Sequence, residues 1–509
     1  MRITLVHPAG HNFVPGMPDL TVLANRMAPT GILQLAAWLD RQGHTTFVHD
    51  CMGPHAPQGI ERNAEAVLAT NPELVGFSTT TSAFLDAHDM ATYIKAKRPH
   101  VKTLFGAVHV SAIGAPLLPH FPGIDYLCVG EGEGLIADLA EGKPLKEIGN
   151  LVYRDGDRIL SNPRRARLPE LDDIPFPAYH KLAGFPRGYH LPLFSYVKRH
   201  GATMITSRGC PYTCSYCDRT VFERLYKFNS PEYVWEHMRR LRDEFGVHHI
   251  NFYDDLFTAS RKRVLELCQA LLERPLGMNF NCAIRVGHTD DELLRMLKKA
   301  GCLMVSVGVE SADTAMMERH KTGVTLDAVR ETVERVHAAG LHAKGLFICG
   351  LPGETPGALQ ATSDFIESMD FDDMNMTKFA PFHGAPIWKE CANGNEGSFH
   401  EDWRMLNCLN FAFVPKAFES KEQMDYLYNQ HVKRFYGSDR FRRRFRERLW
   451  EHRWSLWHLL KNLPRLLVAK RYFTPDQQLT RGDKNVWPPL HPAQPASLDF
   501  AVPDTVAHA

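Results

Sequence analysis

The chain has 509 residues, of which 44% are apolar and 23% charged, and its formal net charge is +1. That length allows two to four globular domains. The near-neutral charge gives no general electrostatic reason to expect nucleic-acid binding, and no apolar run reaches the roughly 20 residues that span a bilayer. The amino terminus, MRITLVHPAG, shows no charged-then-apolar leader. We therefore predict a cytoplasmic location, where thiols stay reduced.

Short apolar runs alternate with helix-like stretches over residues 1–140. The runs read ITLVH, TTFVHD, LVGFSTT, KTLFGAVH and IDYLCVGEGEG. This alternation predicts an α/β domain with a doubly wound parallel sheet. Ligands of such sheets bind beyond the carboxyl ends of the strands. The small or polar residues expected at those ends are Ser78, Thr79, Gly106, Gly130 and Glu131.

Residues 141–198 contain several prolines and little periodicity, and we assign them to a connector in which Asp155-Gly156 is typical of a hairpin turn. A second alternating series fills residues 199–390. Its strand-like runs read ATMITSR, HHINFYDD, MNFNCAIR, LMVSVGVES, HAKGLFICGLPGE and DDMNMTKFAPF. This series predicts a partial (β/α)6 parallel barrel whose active site lies at the carboxyl ends of its strands.

Residues 391–509 predict a mostly helical region with a disordered, Pro-rich tail from about Thr474. Between His431 and Arg471 the chain has 13 Lys or Arg against three Asp or Glu, interleaved with aromatic residues at helical spacing. One interpretation is contact with anionic lipid headgroups. Another is a helix that packs on the barrel and leaves a basic face in solvent. Nucleic acid is not expected, because no recognised binding motif accompanies the charge.

Three of the 11 cysteines lie in SRGCPYTCSYCDR, directly after the first strand of the second series. Cys210, Cys214 and Cys217 follow the spacing C-x3-C-x2-C. One alternative is a zinc site completed by His200 or His248, although structural zinc usually takes cysteines in C-x2-C pairs. Three clustered thiolates without a fourth favour an iron–sulfur cluster with one open iron.

This motif, with Tyr216 before the last cysteine, resembles that of the radical SAM enzymes. In that family three cysteines hold a 4Fe-4S cluster, whose open iron binds S-adenosylmethionine (SAM) and cleaves it to a 5′-deoxyadenosyl radical. The resemblance implies that Cys210, Cys214 and Cys217 are the cluster ligands. It also implies further contacts with SAM, and the residues that match these positions are Asp254, Asp255, Arg285 and Glu310. No catalytic acid or base is assigned.

The first unit resembles the cobalamin-binding, Rossmann-like domain that precedes such barrels. The matching phrases are PELVGFSTTT, FGAVHVSA and IDYLCVGEGEG, with LDDIPFPA in the connector. The resemblance covers roughly residues 1–390 and implies that the strand-end residues above bind cobalamin. Many cobalamin proteins use Asp-x-His-x-x-Gly after the first strand, but this chain has HPAGHNFVPG there. Asp86 and His88 have the spacing but lack the glycine, so no histidine is expected on the lower face of cobalt.

The combined resemblance implies a cobalamin-dependent radical SAM enzyme that methylates an unactivated carbon of a lipid-like, tetrapyrrole or other secondary-metabolite substrate. The anaerobic magnesium-protoporphyrin monomethyl ester cyclase group shares the architecture and is the alternative activity. A non-catalytic cobalamin or Fe–S sensor is an alternative of another class. The expected partners are an external electron donor of the flavodoxin or ferredoxin type and, through the basic helices, the inner face of the membrane.

Overall fold

The computed structural model describes residues 1–10, 25–165, 170–321, 323–464, 467, 491 and 493–495. Nearly all of the tail predicted from Thr474 lies outside the described residues, as does most of the segment HPAGHNFVPG. None of the described helices is long and apolar enough to cross a membrane.

The first domain is built on a seven-stranded sheet with the order β2-β1-β3-β4-β5-β6-β7. Its strands are β1 Arg2–His7, β2 Thr45–Asp50, β3 Leu74–Ser78, β4 Lys102–Gly106, β5 Tyr126–Cys128, β6 Leu151–Asp155 and β7 Arg158–Ser161. Strands β1 to β5 are parallel, as predicted, whereas β6 and β7 are antiparallel. The predicted hairpin therefore exists. It was assigned to the connector from the sequence, but its two strands extend the first sheet.

Helices cover both faces of this sheet. They are α1 Thr30–Arg41, α2 Ile60–Ala69, α3 Phe84–Lys97, α4 Val108–Ile113 and α5 Glu133–Ala140. Alternate strand residues face opposite sides, so Ile3 and Leu5 of β1 belong to one apolar core and Val6 belongs to the other. The carboxyl ends of β1 to β5 thus share one edge, which is where the predicted ligand residues lie.

The second domain is a six-stranded, all-parallel sheet with the order β15-β14-β13-β12-β11-β8. Its strands are β8 Gly201–Met204, β11 His249–Phe252, β12 Asn279–Ile284, β13 Cys302–Glu310, β14 His342–Cys349 and β15 Asp373–Lys378. Each corresponds to one of the six predicted runs. A two-stranded ribbon, β9 Ser207–Arg208 with β10 Lys227–Phe228, follows β8. The partial barrel predicted from the sequence is confirmed.

The helices of this domain are α6 Pro231–Phe245, α7 Arg261–Glu273, α8 Asp291–Lys299, α9 Thr314–His320, α10 Leu326–Ala338 and α11 Pro356–Ser368. Each begins after a Ser, Asp or Thr whose side-chain oxygen accepts a backbone N–H of the first turn. Such caps satisfy donors that a helix start leaves unpaired. They fix the point at which each loop from a strand end enters its helix.

The carboxyl-terminal region packs on both domains. Its elements are α12 Trp388–Ala392, β16 Gly397–Phe399, β17 Phe413–Pro415, α13 Lys421–Gly437, α14 Asp439–Glu447 and α15 Arg453–Lys461. Trp388 and Trp403 are buried in a core of the first domain, whereas Met424 and Phe435 belong to the barrel core. This region therefore ties the two sheets together.

Candidate functional site

The cysteine motif lies in the loop between β9 and β10, beyond the carboxyl end of β8. All three thiols are free, with Cys210 and Cys214 half-buried and Cys217 exposed. The loop begins at Gly209, which has a φ of +86°. A Cβ there would lie 1.8 Å from the carbonyl oxygen of Leu225, so only glycine fits this turn.

Asp254 and Asp255, at the end of β11, hold the start of this loop. The buried Asp254 carboxylate accepts hydrogen bonds from Thr206 N at 2.8 Å and from Ser207 Oγ at 2.6 Å. Asp255 Oδ2 accepts a bond of 2.9 Å from Gly209 N. Two of the four residues predicted to contact SAM, Asp254 and Asp255, are therefore at the cysteine loop. The carboxylate oxygens of Asp254 accept hydrogen bonds from the backbone and hydroxyl groups of the loop, so in this structure Asp254 positions the loop.

Arg285, at the end of β12, reaches the middle cysteine of the motif. Its Nη1 lies 3.9 Å from Cys214 Sγ, and its guanidinium lies 3.9 Å from the centroid of the Tyr212 ring. The Tyr212 hydroxyl is hydrogen-bonded to His288. A hydrogen bond with Cys217 lowers the pKa of Cys214, and Arg285 adds to this effect against burial. A lowered thiol pKa favours the thiolate, which is the form that ligates metal.

Glu310, at the end of β13, lies on the other side of the loop and has a φ of +72°. Its Oε1 is 2.9 Å from Nζ of Lys321, a buried cation that also donates to the Gly308 carbonyl at 2.7 Å. The hydrogen bond with Cys214 raises the pKa of Cys217, and the negative charge of Glu310 adds to this effect. Lys321 was not among the predicted site residues, because nothing at that position forms a motif.

A second missed contact clamps the centre of the loop. His320, the last residue of α9, has its Nδ1 2.7 Å from Ser215 Oγ, and its carbonyl accepts a bond of 3.2 Å from Ser215 N. The histidine is buried and its Nε2 is 2.8 Å from the Pro352 carbonyl. The position between Cys214 and Cys217 is therefore fixed by an element 105 residues further along the chain.

A cavity of about 180 Å³ lies at the carboxyl edge of the first sheet. Four of the five predicted cobalamin residues line it, namely Ser78, Gly106, Gly130 and Glu131. Thr79 is buried behind them, and its Oγ1 donates to the Gly106 carbonyl at 2.9 Å. Further glycines and apolar side chains complete the wall: Gly31, Gly76, Gly132, Leu5, Ile32, Leu35, Leu104 and Ile136. A glycine-rich apolar wall suits close approach of a broad, flat ring, so the residues fit a corrin.

Arg208 joins this cavity to the cysteine loop. It stands two residues before Cys210, lines the cavity, and lies between two carboxylates that follow β5. Nη1 is 2.8 Å from Glu131 Oε1 and Nη2 is 2.6 Å from Glu133 Oε1. Burial alone would raise the pKa of Glu133, but Arg208 outweighs burial and keeps that pKa below its usual value. The triad is thus a charged bridge between the two sheets.

The donor set of the loop fits a cluster better than a single metal ion. Within the described ranges, no three His, Cys, Asp or Glu side chains converge closely enough to hold one ion. The thiolates of a 4Fe-4S cluster bind separate irons and have no such need. His200 and His248 precede β8 and β11 at the amino ends of these strands. Neither histidine is placed to complete a zinc site with the cysteines.

Two family models match the chain. The B12 binding domain matches residues 18–140, and the Radical SAM superfamily matches residues 204–366. An uncharacterized methyltransferase of Pyrococcus horikoshii is 29% identical over 86% of this chain and 92% of its own length. The anaerobic magnesium-protoporphyrin IX monomethyl ester cyclase of Cereibacter sphaeroides is 25% identical over 86% and 70%, respectively.

The fold also has solved counterparts. The radical SAM methyltransferase TsrM of Kitasatospora setae aligns with a TM-score of 0.61 and 18% identity over 78% of each chain. The cobalamin-dependent enzyme OxsB aligns with a TM-score of 0.58 and 19% identity over 74% of this chain and 52% of its own. The two family models therefore identify a B12 binding domain and a radical SAM domain in this chain, which is an enzyme whose cofactors are cobalamin, a 4Fe-4S cluster and SAM.

Proposed function

We propose that the enzyme methylates an unactivated carbon of a small molecule of the lipid-like, tetrapyrrole or other secondary-metabolite class. The observation that carries the proposal is the contact between the two sites. The cavity of the first sheet is bounded by Arg208, Val221 and Phe222, which belong to the cysteine loop and its flanks. When bound, the cluster and SAM supply a 5′-deoxyadenosyl radical and cobalamin supplies a methyl group. Because the two sites are adjacent, the radical and the methyl group can both reach the same substrate molecule.

The proposed ligands of the cluster are Cys210, Cys214 and Cys217. Arg285 is proposed to bind the SAM carboxylate, because its guanidinium lies beside Cys214 and its planar fork suits a carboxylate. Glu310 is proposed to face the ribose. Its Oε1 is held by Lys321, so the second oxygen is the one available for that contact.

The proposed cobalamin contacts are the cavity residues Ser78, Gly106, Gly130 and Glu131, with Thr79 behind them. Gly130 has a φ of +102°, a conformation that glycine adopts without strain. Glu131 is already paired with Arg208, so we assign it a positioning role at the cavity edge. Because the side chains of this wall are small or absent, the backbone could approach the corrin ring closely.

The relatives favour methyl transfer, and oxidative cyclisation is the alternative reaction. The archaeal relative described as a methyltransferase matches 92% of its length, and the Streptomyces wedmorensis relative is a cytidylyl-2-hydroxyethylphosphonate methyltransferase. The cyclase relatives match the same two domains at 25% identity. The residues around the cysteine loop serve SAM cleavage in either reaction, so the fate of the substrate radical decides between them.

The test uses cells that contain or lack the gene and are fed methionine with a deuterated methyl group. Methyl transfer predicts a product that is missing without the gene and carries one labelled methyl group in high-resolution mass spectra. A missing oxo product without label would support the cyclase activity and refute methyl transfer. Cys214→Ala should abolish the product and the SAM cleavage of the reconstituted enzyme, whereas Cys408→Ala, a half-buried thiol outside the loop, should retain both.

We also propose an external donor of the flavodoxin or ferredoxin type, since reductive cleavage of SAM needs an electron for each turnover. The basic carboxyl-terminal helices are proposed to contact the membrane. Exposed side chains on this region include Leu449, Trp450, Trp457 and Leu460, which supports an interfacial role. Anaerobic turnover with each purified donor, compared with chemical reductant, tests the first of these proposals.

A further inference from the structure

A basic cavity of about 200 Å³ lies at the amino end of β8, on the side of the barrel away from the cysteine loop. Its walls come from the connector, from the start of the barrel, from α15 and from Arg26 of the first domain. Four cations line it: Arg26, Arg187, Arg199 and Lys461. Three histidines join them, and none of its lining residues is an Asp or Glu. The cavity is therefore strongly electropositive.

The cations of this cavity have no carboxylate partner within the ranges that the structure describes. Among the described residues, none of the four forms an ion pair with a carboxylate; Arg199 lies over the Trp454 ring and Lys461 over the Trp457 ring. Arg26 donates to the Gly188 carbonyl at 3.2 Å, and its buried Nε has no partner in the described part of the chain. A guanidinium with N–H groups to spare is suited to a phosphate group.

The electrostatic effect of this cluster is visible at His200, which also lines the cavity. Burial lowers the pKa of His200, and the charges of Arg199, Arg187 and His248 lower it further. A histidine pKa that is lowered by neighbouring cations indicates that, among the described residues, this site lacks negative charge. An anionic ligand would supply that charge.

The rim of the cavity continues into an exposed apolar surface on α15 and its flanks. The relative exposures are 77% for Trp450, 47% for Trp457, 62% for Leu460 and 46% for Leu463. The opposite face of this helix is held by the connector, because Ser455 is buried and its Oγ accepts a bond of 2.9 Å from Phe194 N. Tryptophan and leucine beside exposed Arg and Lys are typical of helices that lie in a lipid headgroup layer.

We propose that this cavity binds the phosphate of an anionic phospholipid headgroup, and that the exposed Trp and Leu side chains next to it enter the membrane interface. A free phosphate would satisfy the cations, but it would leave the apolar rim without a partner, so the observations favour the lipid. The proposal is independent of the reaction that the enzyme catalyses.

The position of the cavity has a consequence for orientation. It opens at the amino ends of the barrel strands, whereas the cysteine loop and the first-domain cavity lie at carboxyl ends. Docking through the basic cavity would thus hold the radical site on the side away from the membrane. The contact would localise the enzyme and leave the carboxyl-end face of the barrel turned toward the aqueous side.

The experiment measures binding of the anaerobic holoenzyme to sedimented vesicles. Vesicles of equal parts phosphatidylcholine and phosphatidylglycerol should bind the enzyme, phosphatidylcholine vesicles should not, and added salt should weaken binding. Each cation removed should weaken binding about fivefold, so the double variant Arg187→Gln/Arg199→Gln should bind about 30-fold more weakly than the wild type. The control Arg295→Gln/Lys298→Gln removes two exposed cations of α8 and should bind like the wild type.

Three outcomes would overturn the proposal. The first is equal binding to both vesicle types, and the second is an equal loss in the control variant. The third is calorimetric binding of inorganic phosphate at the cavity without any vesicle binding, which would identify a site for a soluble anion. Leu460→Ser tests the rim separately, since it leaves every cation in place and should still weaken vesicle binding. SAM cleavage should remain at the wild-type rate in all these variants.

Discussion

Replacing Arg208 with methionine removes the cation that bridges the two domains while roughly preserving the length of the side chain. The side chains of Arg208 and Glu131 are each 11% exposed, and that of Glu133 is 6% exposed. Water therefore cannot solvate the two carboxylates once the guanidinium is gone. Breaking a buried pair in this way costs about 3–5 kcal/mol of the free energy of unfolding, because it leaves an uncompensated buried charge.

The loss should depend on pH in a definite direction. In the wild type, Arg208 keeps the pKa of Glu133 below its usual value despite burial. This carboxylate therefore contributes stability above the pKa of the unfolded state, about 4.5, and loses it as pH falls through the folded pKa. Without the cation, burial alone acts and raises the pKa of Glu133. Arg208→Met should then lose stability as pH rises, so the difference from wild type is larger at pH 8 than at pH 5.

The assay is denaturant unfolding of both proteins at pH 5 and pH 8, with cobalamin binding as a second measurement. Arg164→Met is the matched control. Arg164 also forms an ion pair with a residue that follows the cysteine motif, Glu223 at 2.7 Å, but both side chains of this pair are exposed. Exposed pairs contribute about 0–1 kcal/mol. Adding Glu131→Gln and Glu133→Gln to Arg208→Met should recover most of the loss. A pH-independent loss below about 1 kcal/mol, equal to that of the control, would refute the bridge.

Further predictions follow from three other buried groups. Burial raises the pKa of Glu354 to about 8, so the contribution of this group to wild-type stability should fall by about 1.4 kcal/mol per pH unit between pH 5 and 8, because it ionises in the unfolded state and not in the folded one. Glu354→Gln should remove this contribution from the slope in denaturant titrations. Trp403→Ala should cost about 3–5 kcal/mol of unfolding free energy, whereas Trp450→Ala, at 77% exposure, should cost less than about 0.5 kcal/mol. Asp254→Asn should at least halve the iron bound after reconstitution and leave cobalamin binding unchanged; equal iron content would show that Asp254 does not position the loop.

The sequence predicted what depends on local pattern. Apolar runs located the six barrel strands, and the alternation of the series predicted the helices between them. Both follow from short-range sterics and burial. The three cysteines were equally visible, because their spacing lies within one loop. The zinc alternative could be judged only once the strand directions placed His200 and His248 at the far end of the sheet.

What the sequence could not predict depends on contacts between distant segments. Arg208 and Glu133 are 75 residues apart, and Lys321 lies 11 residues from Glu310 across a helix. Neither pair produces a recognisable pattern in a single amino-acid sequence. The antiparallel pairing of β6 with β5 was missed for the same reason, since a hairpin signal gives the turn and not the sheet that the hairpin joins. Trp403 is one more case, because an isolated tryptophan does not reveal which core it enters.

The cysteine loop has little regular structure of its own, since β9 and β10 contain two residues each. Its shape is imposed from outside, by Asp254 at its start, His320 at its centre and Arg208 toward the first domain. Two of these anchors belong to the barrel, and the third bonds to carboxylates of the cobalamin-binding domain. A change confined to that domain, such as Glu131→Gln/Glu133→Gln, should therefore alter the environment of the cluster, although neither residue contacts a cysteine. The electron paramagnetic resonance spectrum of the reduced cluster measures this effect, and a spectrum identical to the wild type would show that the two sites are independent.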